Sequence, residues 1–279
     1  MKILIIKFGA LGDVIISTSI INEILNHHKK DDIYLLTTPL FENLFNNIKN
    51  LAVVSYKRHG FINLVRTIFW IRKEKFNKIY DLQSNDRSGI YCALSGVSFC
   101  AGNHPRFPYD AHPPNKYKGE CHSFERLNQI IISAGINPAK PEPSLPAPPS
   151  VVSKISNWLK EKKLNQKDFI IIHAGSSNKH IQKRWPYFKE LALILKKSFE
   201  IVWVGGDDDA NLNAHLAKFA GINATNNFDI LDLAELGRRS KFAITNDSAP
   251  MHILSCSKIP VLGIFGPTYP RRTHALGQI

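Results

Sequence analysis

The sequence predicts an α/β protein built from two doubly wound, Rossmann-like domains. Three observations lead there. Apolar, strand-like runs alternate with helical periodicities along the 279 residues. A strand, a glycine loop and a helix open the chain, and after a proline-rich segment the same style repeats. With 44% hydrophobic and 21% charged residues, each half is able to bury a core of its own.

Met1 to Ile6 reads as a short apolar strand, followed by the loop Lys7-Phe8-Gly9-Ala10-Leu11-Gly12-Asp13. From Val14 to Leu25, apolar residues recur at helical spacing, as expected of a helix laid on a sheet. Strand-like runs follow at Ile33 to Leu36, Ala52 to Ser55 and Lys78 to Leu82, the alternation of a mostly parallel sheet. Between Tyr56 and Lys78 lies a basic, aromatic helix. Phe61, Leu64, Val65, Ile68 and Ile71 form one face, with Arg58, Arg66, Arg72, Lys73 and Lys75 around it. Such a helix either packs its apolar stripe on the sheet or lies on a membrane surface, and the two are compatible.

Six of the sixteen prolines fall between Asn137 and Ser150, a run unable to pair in a sheet or continue a helix. The expected organisation is therefore a domain over residues 1–140, a linker over 141–150 and a second domain over 151–279. In the second, a helix from Val151 to Lys163 leads to the strand Phe169 to His173. A helix from Tyr187 to Lys197 leads to the strand Ile201 to Val204, which ends in Gly205-Gly206. The strand Phe242 to Thr245 runs into a small-residue turn and a short helix opened by Asp247 or Ser248. Another apolar strand and the loop Gly266-Pro267-Thr268 follow. Two such halves joined by a linker leave a cleft, a common place for a ligand.

The net charge of +13 is spread evenly, +7 over residues 1–140 and +6 over the remainder. A basic solvated surface is its ordinary meaning, and it also suits an anionic partner. No apolar run approaches the ~18 to 20 residues that span a bilayer, and the opening residues lack a signal peptide's apolar region and cleavage site. The expected location is the cytoplasm. Cys92, Cys100, Cys121 and Cys256 match no zinc or redox spacing and read as free thiols.

Candidate sites lie at the strand ends. Gly9 and Gly12 flank the turn into the first helix, and Asp13 stands in its first turn. Alone, Asp13 reads as a favourable partner of the helix dipole, and the Gly-x-x-Gly pattern is not a dinucleotide fingerprint. The strand ending at His173 runs into Ala174-Gly175-Ser176-Ser177 and then Lys183-Arg184-Trp185-Pro186. Small residues there let amides and hydroxyls approach an anion, Lys183 supplies a mobile positive charge, and Pro186 suits the first turn of the next helix. In Gly205-Gly206-Asp207-Asp208-Asp209 an acid is able to accept bonds from ribose hydroxyls, though helix capping is the simpler role, and consecutive acids rarely converge on one metal ion. The turn Asp247-Ser248-Ala249 aims helix amides at the crevice beyond the strands, where a diphosphate fits.

These pieces together resemble glycosyltransferase family 9, the bacterial heptosyltransferases of lipopolysaccharide assembly. The matching elements run in family order. They are Ile3 to Lys7 with Leu11-Gly12-Asp13-Val14; Tyr80-Asp81-Leu82-Gln83 with Arg87-Ser88; Glu125-Arg126-Leu127; and Lys183-Arg184-Trp185-Pro186. Val204-Gly205-Gly206, Asn246 to His252 and Phe265-Gly266-Pro267-Thr268 complete the set. The resemblance implies a GT-B architecture, two Rossmann-like domains facing across a cleft, with the acceptor on the first and the nucleotide sugar on the second. It implies Asp13 as catalytic base on the acceptor-side loop of Gly9 and Gly12. The leaving diphosphate falls to Ser176, Ser177, Lys183 and the turn Asp247-Ser248-Ala249, with His252 nearby, and the ribose to Asp208 or Asp209.

The donor it implies is ADP-heptose, used without a cofactor or metal. The acceptor is the anionic Kdo or heptose of the lipopolysaccharide inner core, met by peripheral contact at the cytoplasmic face of the inner membrane. Ala249 stands where the family usually has Gly, and the C-terminal end is shorter than usual for the family. Three alternatives stand beside this reading: a nucleotide-sugar-binding protein without turnover, a transferase for another nucleotide sugar and surface glycan, and a nucleic-acid binder. The last rests on charge alone, with no recognisable reading module.

Overall fold

Each half of the chain closes on its own five-stranded, wholly parallel sheet. The computed structural model describes residues 1–114 and 121–278. The chain divides between Pro143 and Ser144 into two units.

In the first unit the elements in order are β1 (Lys2–Ile6), α1 (Leu11–His27), β2 (Asp32–Thr37), α2 (Glu42–Phe45), β3 (Ala52–Ser55), α3 (Phe61–Glu74), β4 (Lys78–Asp81), α4 (Asp86–Ser95), β5 (Cys100–Ala101) and α5 (Ser123–Ser133). The sheet order is β3-β2-β1-β4-β5. β1 is central: Ile3 pairs with Ile33 on one side and with Lys78 on the other. Ile3, Leu4, Ile5 and Ile6 are fully buried, as expected of a parallel strand covered by helices on both faces. On one face Leu4, Ile6, Leu36 and Ile79 pack with Ile71 of α3 and Tyr91 of α4.

α3 departs from its expected orientation. Leu64 and Ile68 pack against the core and Ile71 is buried, but Phe61 is 77% exposed. Phe61 opens the helix, a turn before the first side chain that reaches the sheet. Ile62 and Phe69 are exposed as well.

The second unit contains α6 (Pro149–Glu161), β6 (Phe169–His173), α7 (Phe188–Leu195), β7 (Glu200–Trp203), α8 (Ala210–Ala217), β8 (Ile222–Asn223), α9 (Ile230–Arg239), β9 (Ala243–Asn246), α10 (Ala249–Ser255), β10 (Val261–Ile264) and α11 (Pro270–Thr273). Two 3-10 segments interrupt it, at Asn178–Lys183, kinked at His180, and at Asp207–Asp209. Pro149 and Ser150, read as linker, are the first residues of α6: at a helix's first position the missing N–H of proline costs nothing. Pro186 lies two residues before α7, outside the helix. The order β10-β9-β6-β7-β8 repeats that of the first sheet, with the first strand of each unit next to its fourth. Both units thus have a gap between the loops that leave those two strands, the topological switch point at which doubly wound sheets bind ligands. Ile170, Ile172, Ile201, Trp203 and Ile244 form the core beneath it.

Candidate functional site

The switch point of the second sheet is bounded by the loop after β6 (Ala174 to Ser177) and the turn after β9 (Asp247 to Ala249). Asn246, fully buried at the end of β9, ties them together. Its Nδ2 donates to Ala174 O at 2.8 Å and Gly175 O at 3.0 Å, and its Oδ1 accepts from Trp185 N. The first unit repeats the device: Gln83, just after β4, accepts the amide of Phe8 at 2.9 Å in the loop after β1.

Asp209 determines the shape of the floor. Read from sequence as an alternative ribose acceptor, it is instead 5% exposed and turned beneath the loop. Its Oδ2 meets His173 Nε2 and accepts from Gly206 N, both at 3.3 Å, and its Oδ1 accepts from Arg184 Nη2 at 3.3 Å. A β-carbon at Gly175 or Gly205 would collide with this carboxylate. Burial works to raise the Asp209 pKa, but His173, the Gly206 amide and Arg184 outweigh it, and the group lies below the usual carboxylate range.

On its other ring nitrogen, His173 meets Ser248: Nδ1 and Ser248 Oγ are 3.0 Å apart. Ser248 stands at the N-cap of α10 without a capping bond, because its hydroxyl is turned to His173. The Arg184 Nη2 that reaches Asp209 also donates to Ser176 O at 2.8 Å and Asp208 O at 3.0 Å. A connected path thus runs from Ser248 through His173, Asp209 and Arg184 to Ser176.

Lys183, expected as a mobile charge, is held. Its Nζ donates to Asp247 Oδ2 at 2.7 Å and Asp247 O at 3.2 Å, and Thr268 Oγ1 donates to the same Oδ2 at 2.7 Å. The pair is cross-linked to the Gly-Pro-Thr loop, and the charge offered by Lys183 is partly balanced by Asp247. Ser176 is buried, and its hydroxyl donates to His180 O. Ser177 is exposed, and its hydroxyl carries no bond among the described residues. Asp208 is exposed and accepts from Asn178 N and Nδ2. Ala249 opens α10 and His252 is buried within it.

In the first unit, Gly9 has φ +144°, a conformation that side-chain-bearing residues rarely adopt. Gly12 and Asp13 lie in the first turn of α1, with Asp13 half-buried and, among the described residues, free of hydrogen bonds and ion pairs. Lys7, next to this loop, is 2% exposed and donates to Leu82 O at 3.2 Å. Burial pushes its pKa down to about 8; Asp13 and Asp81 oppose the shift and Arg126 adds to it. Asp81, fully buried, accepts from Gln83 N, Ser84 N and, at 2.5 Å, Tyr109 Oη. Burial raises its pKa against those hydrogen bonds.

Sequence reading missed His173, Arg184, Asn246, Thr268 and Lys7 as site-builders, although each stands in or beside a stretch it had singled out. Among the described residues no group of three or more His, Cys, Asp or Glu is placed to hold a metal ion, and no helix is long and apolar enough to cross a membrane. All four cysteines are free.

Residues 127–278 match the family model described as glycosyltransferase family 9 (heptosyltransferase). The chain is 27% identical over 294 residues to lipopolysaccharide heptosyltransferase 1 of Campylobacter coli, covering 96% of this chain and 84% of that protein. It superposes on a glycosyl transferase family 9 structure from Veillonella parvula with a TM-score of 0.85 at 20% identity, covering 98% of this chain and 82% of that one. It also superposes on an E. coli heptosyltransferase solved with ADP, with a TM-score of 0.74 at 14% identity, covering 99% and 91%.

Proposed function

The chain belongs to glycosyltransferase family 9, and from that premise we propose that it transfers a heptose from ADP-heptose to the Kdo or heptose of the lipopolysaccharide inner core, with inversion. Asp13 takes the proton of the acceptor hydroxyl, whose oxygen forms the new bond to the anomeric carbon as the bond to the diphosphate oxygen breaks. General-base assistance of this kind is worth ~100- to 10,000-fold in rate. The observation that carries the reading is the floor of the second switch point, where Asn246, Asp209 and Arg184 fix the Ala174 to Ser177 loop through bonds within the protein. A fixed set of donors stabilises a developing charge without reorganising during the reaction.

In this reading the diphosphate lies against Ser177, Lys183 and the turn Asp247-Ser248-Ala249, with Ser176 and His252 behind them and Asp208 as the exposed acid at the ribose. The leaving group is stabilised by amides and side-chain cations, with no metal. The E. coli structure solved with ADP supports an adenine nucleotide, and the Campylobacter coli relative supports a lipopolysaccharide acceptor. The enzyme works in the cytoplasm, in peripheral contact with the inner membrane. The exposed Phe61, Ile62 and Phe69 of α3, set among Arg66, Arg72 and Lys73, support that contact.

The test is mass-spectrometric transfer to a deacylated Kdo-containing core, with ADP-heptose offered beside UDP- and GDP-sugars and Asp13→Ala run in parallel. A heptose-mass gain from ADP-heptose, lost in the variant and unchanged by EDTA, is expected. Equal turnover by Asp13→Ala would remove the role given to that residue.

A further inference from the structure

Three side chains at the second switch point are arranged as a proton path. Asp209 is ionised, so the His173 Nε2 facing it at 3.3 Å carries a proton and donates. In the neutral ring Nδ1 is then an acceptor, and the Ser248 hydroxyl 3.0 Å away donates to it, with Asn246 O at 3.3 Å as the other acceptor in reach. This differs from the hydrolase triad, in which Nε2 faces the serine and Nδ1 the carboxylate. Ser248 is half-exposed at the mouth of the site while His173 is 3% exposed behind it.

When the ring is neutral, Ser248 turns its proton inward and only lone pairs outward, the wrong polarity for an anion. Protonation of His173 reverses it. Nδ1–H then donates to Ser248 Oγ, and the hydroxyl proton is released toward the ligand. We propose that His173 is a positioning residue that couples diphosphate binding to uptake of one proton from solvent, switching Ser248 from acceptor to donor while Asp209 holds the ring. This rests on the donor-site reading of the second unit.

The surroundings admit the switch. Asp209 faces the ring with Arg184 on its second oxygen, and the turn carrying Ser248 holds the Lys183–Asp247 pair. On β9 the register partner of His173 is Thr245, and β7 leads into Val204, whose amide donates to Ile172 O, and neither side chain titrates. His252 is the titratable group of α10. Imidazole is the side chain whose charge changes near neutrality, so a bound anion is able to draw the proton there.

The test is calorimetric titration of the full chain with ADP-glucose, a diphosphate diester that does not itself titrate near neutral pH, in buffers of differing ionisation enthalpy. The slope of observed enthalpy against buffer enthalpy counts protons. The wild type is expected to take up protons on binding ADP-glucose at pH 7, seen as a non-zero slope. His173→Asn and Ser248→Ala are expected to bind with no uptake, and Ser248→Thr to retain it. A side chain that merely packs would change affinity but not the slope. Binding without uptake in the wild type, or uptake that survives Ser248→Ala, overturns the relay and leaves the donor reading standing. Failure of the wild type to bind ADP-, UDP- or GDP-sugars overturns the donor reading and the relay with it.

Discussion

A β-carbon at Gly175 would occupy the space filled by the carboxylate of Asp209. The glycine next to the site therefore makes room for a buried acid beneath the loop, and that acid braces the loop from below. Gly175→Ala is expected to cost about 1–3 kcal/mol in denaturant melts, as overpacking does, and to weaken nucleotide binding as Asp209 is displaced. Gly206→Ala, where nothing lies within 4 Å of the added carbon, is expected to stay within about 0.5 kcal/mol of wild type.

Lys183 serves both charge and structure. Lys183→Met strands Asp247, 8% exposed as a side chain, without its cation, so stability and transfer fall together, kcat/KM by ~100-fold. Adding Asp247→Asn removes the stranded charge. The double variant is expected to regain most of the lost stability in urea melts while transfer stays low. Recovery of both would mean that Lys183 has only a structural role.

Lys7 makes stability depend on pH. Its folded pKa of about 8 lies below its ordinary 10.5. Below pH 8 both folded and unfolded chains hold the proton and the full burial penalty applies. Between pH 8 and 10.5 only the unfolded chain keeps it, and stability rises with pH relative to a chain lacking the lysine. Relative to wild type, Lys7→Met is expected to lose up to about 3 kcal/mol of stability between pH 8 and 10.5 when melts are repeated at successive pH values.

The exposed face of α3 makes a separate prediction. The wild type is expected to sediment with vesicles containing anionic lipid and to remain in solution with neutral ones. Phe61→Ser with Phe69→Ser should reduce the bound fraction several-fold without changing the melting temperature, since both side chains are largely solvent-exposed. Equal binding to neutral vesicles would remove the charge argument.

The strands were the most legible part of the chain. Phe169–His173 lies where its apolar, β-branched run puts it, since a parallel strand buried on both faces leaves few alternatives, and the edge strand Ala52–Ser55, only partly buried, is marked by its Val-Val pair. The strand ends were legible as places of interest. Which way their side chains turn was not, because that depends on partners distant in sequence. Asp209 looks like its exposed neighbours Asp207 and Asp208 until Gly175, 34 residues earlier, gives it somewhere to go. Lys183 looks free until Asp247 comes within 2.7 Å. Phe61 shares the period of the buried face of α3 but lies past the edge of what that face covers, and period alone does not report where a sheet ends.

The amide staples of Asn246 and Gln83 also indicate how the protein is best redesigned. A loop riveted to the neighbouring strand is a fixed template, so changing the rivets alters everything that rests on it. Ser177, exposed and, among the described residues, with its hydroxyl uncommitted, protrudes from that template, making it the first position to vary in a library meant to tune how the diphosphate is held and leave the scaffold intact.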